Sequence, residues 1–159
     1  MKPKFYDILI SSTDEVFETM SFIDVTPQTL IEENIDIENV EITSIIALGG
    51  EIAGMLAIHT SRAFAHECAQ FISGEETPNL PDQVLIDTIG EISNMIAGTF
   101  KRNVSAHVDL FEISLPSVIT SQGHTLSFRG AKEDFPRLLI PFAIEEKTCF
   151  HLELLYHKR

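Results

Sequence analysis

The feature that most constrains this chain is a two-sided pattern between Asp82 and Lys101. At about 100° per residue, one side of a helix would carry the apolar residues Leu85, Ile89, Ile92, Ile96 and Phe100. Within roughly 60° of one another, the other side would carry Asp87, Glu91, Asn94 and Gly98, here called the polar stripe. The pattern therefore predicts an amphipathic helix that buries one side and presents the other to solvent.

The composition of the polar stripe is unusual for an exposed helix surface. Such surfaces are commonly filled with Lys, Glu and Gln, which favour helix formation. Asn94 and Gly98 are poor helix formers and cost about 0.5–1 kcal/mol each relative to Ala. We therefore expect the stripe to serve a purpose other than folding.

The side chains of the stripe suit phosphoryl chemistry that is completed by a partner. A carboxamide such as that of Asn94 donates and accepts hydrogen bonds without titrating, so it can orient an attacking water. Glu91 can pair with a lysine of a docked protein or hold a water, and Gly98 would let a partner backbone approach closely. The sequence has no phosphate-binding glycine loop and no nucleophile beside a base. The phosphate, its metal and its countercharges would therefore come from the partner.

Two other interpretations of the stripe stay open at this point. Asp87 and Glu91 could be solvated charges, with Asn94 incidental. Alternatively, the two carboxylates could form a metal site or a general acid–base pair, although no histidine stands at ligand spacing. The six histidines show no H-x-x-x-H or H-E-x-x-H spacing, so we expect no metal site and expect each histidine to be exposed or hydrogen-bonded. The segment from Ser114 to Ser121 lacks the G-x-S-x-G context of an acyl-transfer hydrolase.

Length and composition indicate one domain and exclude several functions. The 159 residues are 44% hydrophobic, so we expect a single domain over residues 1–159. A net charge of −13, from 24 acidic and 11 basic residues, argues against binding of nucleic acid or of an anionic membrane. Without a membrane-spanning apolar run or a secretory leader, we expect a cytoplasmic protein. Cys68 and Cys149 are interpreted as buried thiols, not as a disulfide.

Residue patterns predict a mixed order of helices and strands. The helices are expected at 4–23, at 62–72 with closure by Gly74, and after Pro81. The β-like segments are 40–47 and 52–58 around a turn at 49–50, then 106–114, 117–120 with 125–128, and a hairpin of 137–144 with 148–156. Pro141 interrupts the last hairpin and predicts a bulge or an edge strand.

A weak internal repeat relates the first helix to the central one. Asp14-x3-Glu18-x2-Ser21 has the same spacing as the residues at positions 87, 91 and 94. Strand-like segments follow each copy. The sequence therefore predicts two related α-plus-hairpin halves packed into one α+β domain.

These residues resemble a known family. The run Asp87-x3-Glu91-x2-Asn94, continued by Met95-Ile96-Ala97-Gly98 and followed by Pro116, is similar to the phosphatase signature of the CheX/CheC/FliY chemotaxis family. The segment 48–56 and the first helix also look like CheX, and the resemblance spans nearly the whole chain. Pro116 follows Asn94 after 21 intervening residues, one fewer than the signature expects. Because the first copy ends in Ser21 instead of Asn, the resemblance is to CheX-type members with one active motif.

The resemblance implies a fold, an activity and a partner. The fold would be α+β, with an antiparallel sheet packed with long helices. The activity would be hydrolysis of the aspartyl phosphate on a CheY-like response regulator receiver domain, which carries its own Mg²⁺, so that this chain needs no cofactor. Asn94 would position the in-line water and Glu91 would anchor the receiver lysine. Asp87, Gly98 and Pro116 would contact the partner.

The resemblance also implies a homodimer joined through β-strands, with the terminal hairpin as a place for exchange between subunits. Two rival functions share the same exposed stripe. One is a non-catalytic adaptor or scaffold that docks receiver domains in chemotaxis or two-component signalling. The other is a structural component of the flagellar switch, although FliY-type proteins usually carry further domains.

Overall fold

The computed structural model describes residues 2–20, 23–32, 36–74, 79–126 and 136–158, with side chains from Phe5 onward. Its helices are α1 (Lys2–Met20), α2 (Arg62–Ser73) and α3 (Asp82–Val104). Its strands are β1 (Thr26–Pro27), β2 (Ile37–Gly50), β3 (Ile52–Thr60), β4 (Phe111–Ile113), β5 (Ser117–Leu126), β6 (Arg137–Ile144) and β7 (Lys147–Lys158). The predicted α+β fold class is confirmed.

The described strands form one antiparallel sheet in the order β1-β6-β7-β3-β2-β4, and β5 also pairs with β2. The hairpins β2–β3 and β6–β7 lie side by side because β3 pairs with β7. At the two edges of the sheet, the strands that follow each long helix pair with the hairpin of the other half. Strand β1, which follows α1, pairs with the second hairpin, whereas β4 and β5, which follow α3, pair with the first. This arrangement agrees with two α-plus-hairpin halves in one sheet.

Both hairpin turns depend on left-handed backbone. Gly50 has a φ of 98°, and a Cβ added there would stand 2.5 Å from the carbonyl oxygen of Leu110, so only glycine fits. Glu145 and Glu146 have φ values of 49° and 70°, the pattern of a two-residue type I′ turn. A register shift between the two residues that follow Pro141 confirms the predicted bulge in the terminal hairpin.

The helices follow their sequence signals closely. At the start of α2, the hydroxyl of Ser61 accepts a hydrogen bond from the amide of Phe64 at 3.2 Å, and Gly74 closes the helix with a φ of 72°. Pro81 immediately precedes α3 as its cap residue. The first helix was predicted to end at Ile23, which is wrong because Ile23 is not helical; residues 21 and 22 lie outside the described residues.

Two β-like predictions were wrong in detail. Of the segment 106–114, only Phe111–Ile113 is a strand. The chain turns directly after α3, where the amides of His107 and Val108 both donate to the carbonyl of Val104, and Lys101 and Arg102 lie in the last turn of that helix. The basic side chains favour that helix end electrostatically. The segments 117–120 and 125–128 were expected to be separate, but residues 117–126 form the single strand β5 with register shifts opposite Val40. Residues 127–128 lie outside the described part of the chain.

Aromatic contacts fix α1 beside α3. Near the start of α1, the ring of Phe5 contacts Phe100 at 6.4 Å and Tyr156 at 5.1 Å between centroids. Near its end, the ring of Phe17 stacks on Phe150 of β7 at 5.5 Å. Burial of aromatic side chains of this size contributes strongly to the core. Helix α1 is therefore held at both ends, and it forms a fixed wall along α3.

A buried polar network crosses the sheet from β2 to β7. Thr43 Oγ1 and His59 Nδ1 are 3.0 Å apart, and His59 Nε2 lies 2.9 Å from Glu153 Oε1. All three side chains are buried. A buried carboxylate requires partners of this kind, because its desolvation without them is unfavourable. The network therefore accounts for polar side chains in the middle of the sheet.

Candidate functional site

Helix α3 presents the polar stripe away from the core. Asp87, Glu91 and Gly98 are exposed, and Asn94 is half-buried. The opposite side is buried as predicted, with relative exposures of 4% for Leu85, 1% for Ile89, 1% for Ile92, 0% for Ile96 and 1% for Phe100. The two-sided helix inferred from the sequence is therefore confirmed.

The Glu91 and Asn94 side chains are available to another molecule. Within the described part of the chain, neither one has a hydrogen-bond or ion-pair partner. Asp87 differs, because its Oδ1 accepts a hydrogen bond of 2.8 Å from Gln83 Nε2 in the preceding turn. Residues three apart on a helix are neighbours on its surface. A carboxylate and a carboxamide thus stand side by side on the outer side of a rigid element.

Helix α1 forms one wall of the stripe. Arg102 of α3 donates a hydrogen bond to Glu15 of α1, and Asn103 Nδ2 donates to Ser12 Oγ at 3.0 Å. A shallow cleft runs between the two helices, lined by Glu15, Val16, Thr19, Met95, Gly98 and Arg102. Gly98 therefore lies both on the stripe and at the edge of this cleft.

The connection between β4 and β5 forms the opposite wall. It faces α3 at Gly90, the residue before Glu91, where Pro116 and Val118 stand within van der Waals distance of a Cβ added to the glycine. Ile113 is paired with Leu48 and Ser117 with Ile45, so three residues of the connection face two residues of β2. This extra residue is a β-bulge, a feature that re-aims side chains and is common beside active sites.

No cationic side chain in the described part of the chain pairs with Glu91 or Asn94 at the centre of the stripe. The two basic residues of the last turn of α3 are engaged elsewhere: Lys101 Nζ lies 3.4 Å from Glu112 Oε2, and Arg102 pairs with Glu15. Among the described residues, no group of three or more His, Cys, Asp or Glu side chains could hold a metal ion.

Arg62 binds the start of α3, the helix that carries the polar stripe, and sequence reasoning did not identify it. Its guanidinium donates to both carboxylate oxygens of Asp82, the first residue of α3, at 3.3 and 3.1 Å. It also donates to Glu41 of β2 at 3.3 Å and to the carbonyl of Ser121 in β5. Hydrogen bonding to Arg62 lowers the pKa of Asp82 below its ordinary value. The only sequence signal at Arg62 was its position at the start of a predicted helix. Its hydrogen-bond partners are distant in sequence, so residue spacing did not reveal them.

Only two of the three motif residues of α1 lie in the described part of the chain. Asp14 and Glu18 are exposed on α1, whereas Ser21 lies outside the described residues. Partial burial and then the neighbouring Glu18 raise the pKa of Asp14. The two cysteines are free thiols, as predicted, with Cys68 buried and Cys149 half-buried. Burial raises the pKa of Cys149 to about 12.

The histidines mostly follow the expectation of exposed or hydrogen-bonded side chains. His59 belongs to the buried network, and His124 Nδ1 lies 2.5 Å from Ser121 Oγ. The expectation is wrong for His66, whose Nε2 is buried with no partner within the described residues. None of the described helices is long and apolar enough to cross a membrane.

The sequence profile of the family Chemotaxis phosphatase CheX matches residues 42–143. This range includes α3 with its whole polar stripe and also Pro116. The chain therefore belongs to the CheX family of chemotaxis phosphatases. No curated protein matches the sequence significantly.

Solved structures of this family share the fold over almost their whole length. Chemotaxis protein CheX from Vibrio vulnificus is 25% identical, with a TM-score of 0.79 and coverage of 96% of this chain and 99% of that one. Chemotaxis protein CheX from Desulfovibrio desulfuricans is 22% identical, with a TM-score of 0.77 and coverage of 96% and 99%. The CheX–CheY–BeF3–Mg²⁺ complex from Borrelia burgdorferi is 18% identical, with a TM-score of 0.78 and coverage of 97% and 98%.

Proposed function

We propose that this protein accelerates hydrolysis of the aspartyl phosphate on a CheY-like response regulator receiver domain. Asn94 orients the attacking water in line with the scissile bond, and Glu91 pairs with the receiver's lysine. The observation that carries the proposal is that the exposed Glu91 and the half-buried Asn94 stand side by side on the outer side of α3, without partners among the described residues. The chain is built to insert this pair into a reaction centre that another molecule completes.

The division of labour follows from the chemistry of an acyl phosphate. The water oxygen forms a bond to phosphorus while the bond from phosphorus to the aspartate oxygen breaks, and the water proton leaves with inorganic phosphate. Phosphoryl transfer needs alignment and charge stabilisation above all. The carboxamide of Asn94 supplies alignment, because its oxygen accepts a hydrogen bond from the water. The receiver supplies Mg²⁺ and lysine to stabilise charge.

Membership of a chemotaxis phosphatase family supports the reaction class. The Borrelia burgdorferi CheX, which shares the fold, forms a complex with CheY that also contains BeF3 and Mg²⁺. Extending that partner class to this chain is part of the proposal. Asp87, Gly98 and Pro116 would contact the receiver around the reacting pair, and no cofactor would belong to this chain itself.

We also propose a homodimer joined through β-strands, with the terminal hairpin as the place for exchange. This proposal rests on the family resemblance. Strand β1 and the amides of Gln28 and Ile31 already pair with β6, so exchange would have to replace those hydrogen bonds with bonds to the partner's strand. Light scattering coupled to size-exclusion chromatography would test this, and a monomer at all concentrations used for activity would contradict it.

The test of the reaction is a panel of CheY-like receiver domains phosphorylated with acetyl phosphate. We expect at least one receiver to lose phosphate many times over per molecule of this protein. Asn94→Ala should abolish the acceleration, and the isosteric Asn94→Asp should also lose it because a carboxylate would repel the phosphoryl oxygens. Asn94→Ala should still bind the BeF3-activated receiver, whereas Asn94→Asp should bind it more weakly through the same repulsion. Full activity of Asn94→Ala would refute the role of this amide.

Substitution of Glu91 should change the rate in a way that can be distinguished from substitution of Asn94. Glu91→Lys should lower the rate most at low receiver concentration, because like charges would oppose docking. Glu38→Lys makes the same charge change at an exposed position on β2 and should leave the rate unchanged. Binding without turnover for every receiver would favour the adaptor function over the phosphatase.

A further inference from the structure

Leu115 is the most exposed large hydrophobic residue in the described part of the chain, with 81% of its surface accessible. Single exposed apolar side chains are common on protein surfaces. Exposure alone therefore assigns no role to Leu115. What sets it apart is the way in which the surrounding chain holds it and where it stands.

The backbone on both sides of Leu115 is fixed. The amide of Ser114 donates to the carbonyl of Ala47 at 3.0 Å, and the amide of Ala47 donates to Ser114 Oγ at 2.8 Å. The Ser114 hydroxyl in turn donates to the carbonyl of Leu115 at 2.9 Å. On the other side, Pro116 has a restricted φ. A side chain held in this way loses little further backbone freedom when it is buried by a partner.

The bulge also explains why this leucine points outward. Ile113, before the bulge, and Val118, after it, both pack against the core. The extra residue between the two strands changes which positions face the core. Leu115 lies between them, within the bulge, and its side chain is exposed instead of packed against the core.

The position of the bulge places Leu115 at the border of the polar stripe. Its neighbour Pro116 faces α3 at Gly90, where a Cβ added to the glycine would stand 3.8 Å from Pro116 Cγ, and Gly90 adjoins Glu91 in sequence. A standard protein–protein interface covers roughly 800 Å² on each partner. A receiver centred on Glu91 and Asn94 would therefore also cover the β4–β5 connection.

We propose that Leu115 is the apolar anchor for the receiver domain, a docking contact distinct from the reacting pair. This inference rests on the proposed function and names a further specificity-determining residue for it. Glu91 offers the receiver a charged contact, and Leu115 offers a preorganised apolar one beside it. The matching surface on the receiver is an apolar depression near its phosphorylated aspartate. Because Leu115 does not touch the phosphoryl group, it acts on binding and not on the chemical step.

The test compares Leu115→Ser with Leu110→Ser. Leu110 is also exposed, at 55%, but it lies beyond the other end of β4, beside the β2–β3 turn. We expect Leu115→Ser to raise KM for the phosphorylated receiver about 10-fold, with kcat within twofold of the unsubstituted protein. Leu115→Met should restore most of the affinity, and Leu110→Ser should change neither constant. Thermal unfolding of all the variants should be unchanged.

A second measurement separates this inference from the proposed function. Dissociation constants are measured for the BeF3-activated receiver in the Asn94→Ala background, where no turnover is needed. A loss of affinity on adding Leu115→Ser supports the anchor even if the unsubstituted protein hydrolyses nothing. Equal affinities with and without Leu115, an equal effect of Leu110→Ser, or a change in kcat alone would each overturn it. Failure of every receiver to bind would overturn both proposals.

Discussion

Gly90 of α3 faces Pro116 of the β4–β5 connection across a space of about one methyl group. A Cβ carbon built on Gly90 would stand 3.8 Å from Pro116 Cγ and 3.5 Å from Val118 Cγ2. These separations are ordinary van der Waals contacts, with no room for a larger side chain between them. The helix that carries Glu91 and the loop that carries Pro116 therefore form one continuous surface.

This contact predicts opposite effects for two substitutions of Gly90. Gly90→Ala should fit and should raise the free energy of unfolding by about 0.5–1 kcal/mol, because alanine favours a helix. Gly90→Leu should push the loop away, lower the free energy of unfolding by about 1–3 kcal/mol and raise KM for the receiver. Urea denaturation and dephosphorylation kinetics would measure these effects. Unchanged kinetics in Gly90→Leu would show that the loop position is irrelevant to docking.

Gly98 gives a way to separate folding from partner binding. Among the described residues, and apart from the adjacent residues and backbone of the helix itself, no atom lies within 4 Å of a Cβ added at this position, so packing there does not require glycine. Gly98→Ala should stabilise the protein by about 0.5–1 kcal/mol. Gly98→Trp should stay folded but should lose receiver binding, because its ring would occupy the surface that the partner approaches. Titration calorimetry with the BeF3-activated receiver would detect this, and wild-type affinity in Gly98→Trp would exclude Gly98 from the interface.

Arg62 should stabilise the first turns of α3 against local unfolding. Arg62→Met removes the hydrogen bonds to Asp82, Glu41 and the Ser121 carbonyl while it keeps an unbranched side chain of similar length. We expect faster hydrogen exchange of the backbone amides at 84–88. Arg102→Met, which breaks an exposed ion pair at the other end of α3, serves as the control and should leave those amides unchanged. Equal exchange rates in the two variants would contradict a clamping role for Arg62.

His151 should make folding stability depend on pH. Burial, and to a lesser degree the neighbouring His59, lowers its pKa from 6.5 to about 4. The unfolded chain takes up this proton as the pH falls through 6.5, whereas the folded chain takes it up only near pH 4. The contribution is therefore fully present above pH 6.5 and is lost progressively between pH 6.5 and 4.

Since the imidazole is partly solvated, we expect this loss to be about 2 kcal/mol. His151→Gln should flatten the pH dependence of the free energy of unfolding in that window. His107→Gln, at an exposed position, should leave the slope as it is. An unchanged slope in His151→Gln would show that other groups carry the acid sensitivity.

Much of the local structure was predictable because its causes are local. The spacing of Leu85 to Phe100 defines the buried side of α3, and Gly50 marks a turn whose backbone other residues cannot adopt. The strands near residues 106–128 were harder to predict. Their pairing partner β2 lies more than sixty residues earlier, and a bulge interrupts the alternation by which strands are recognised.

The sequence by itself determined the two-sided helix α3 and the exposed position of Glu91 on it, because helical periodicity alone separates the buried side from the open one. Only the tertiary structure decided what borders that helix. Pro116 faces Gly90, and Arg62 donates hydrogen bonds to Asp82, so both pairs bring together segments that are far apart in sequence. The exposure of Leu115 depends on the pairing of its segment with β2. Long-range packing and strand pairing create such contacts, and no residue spacing within one segment encodes them.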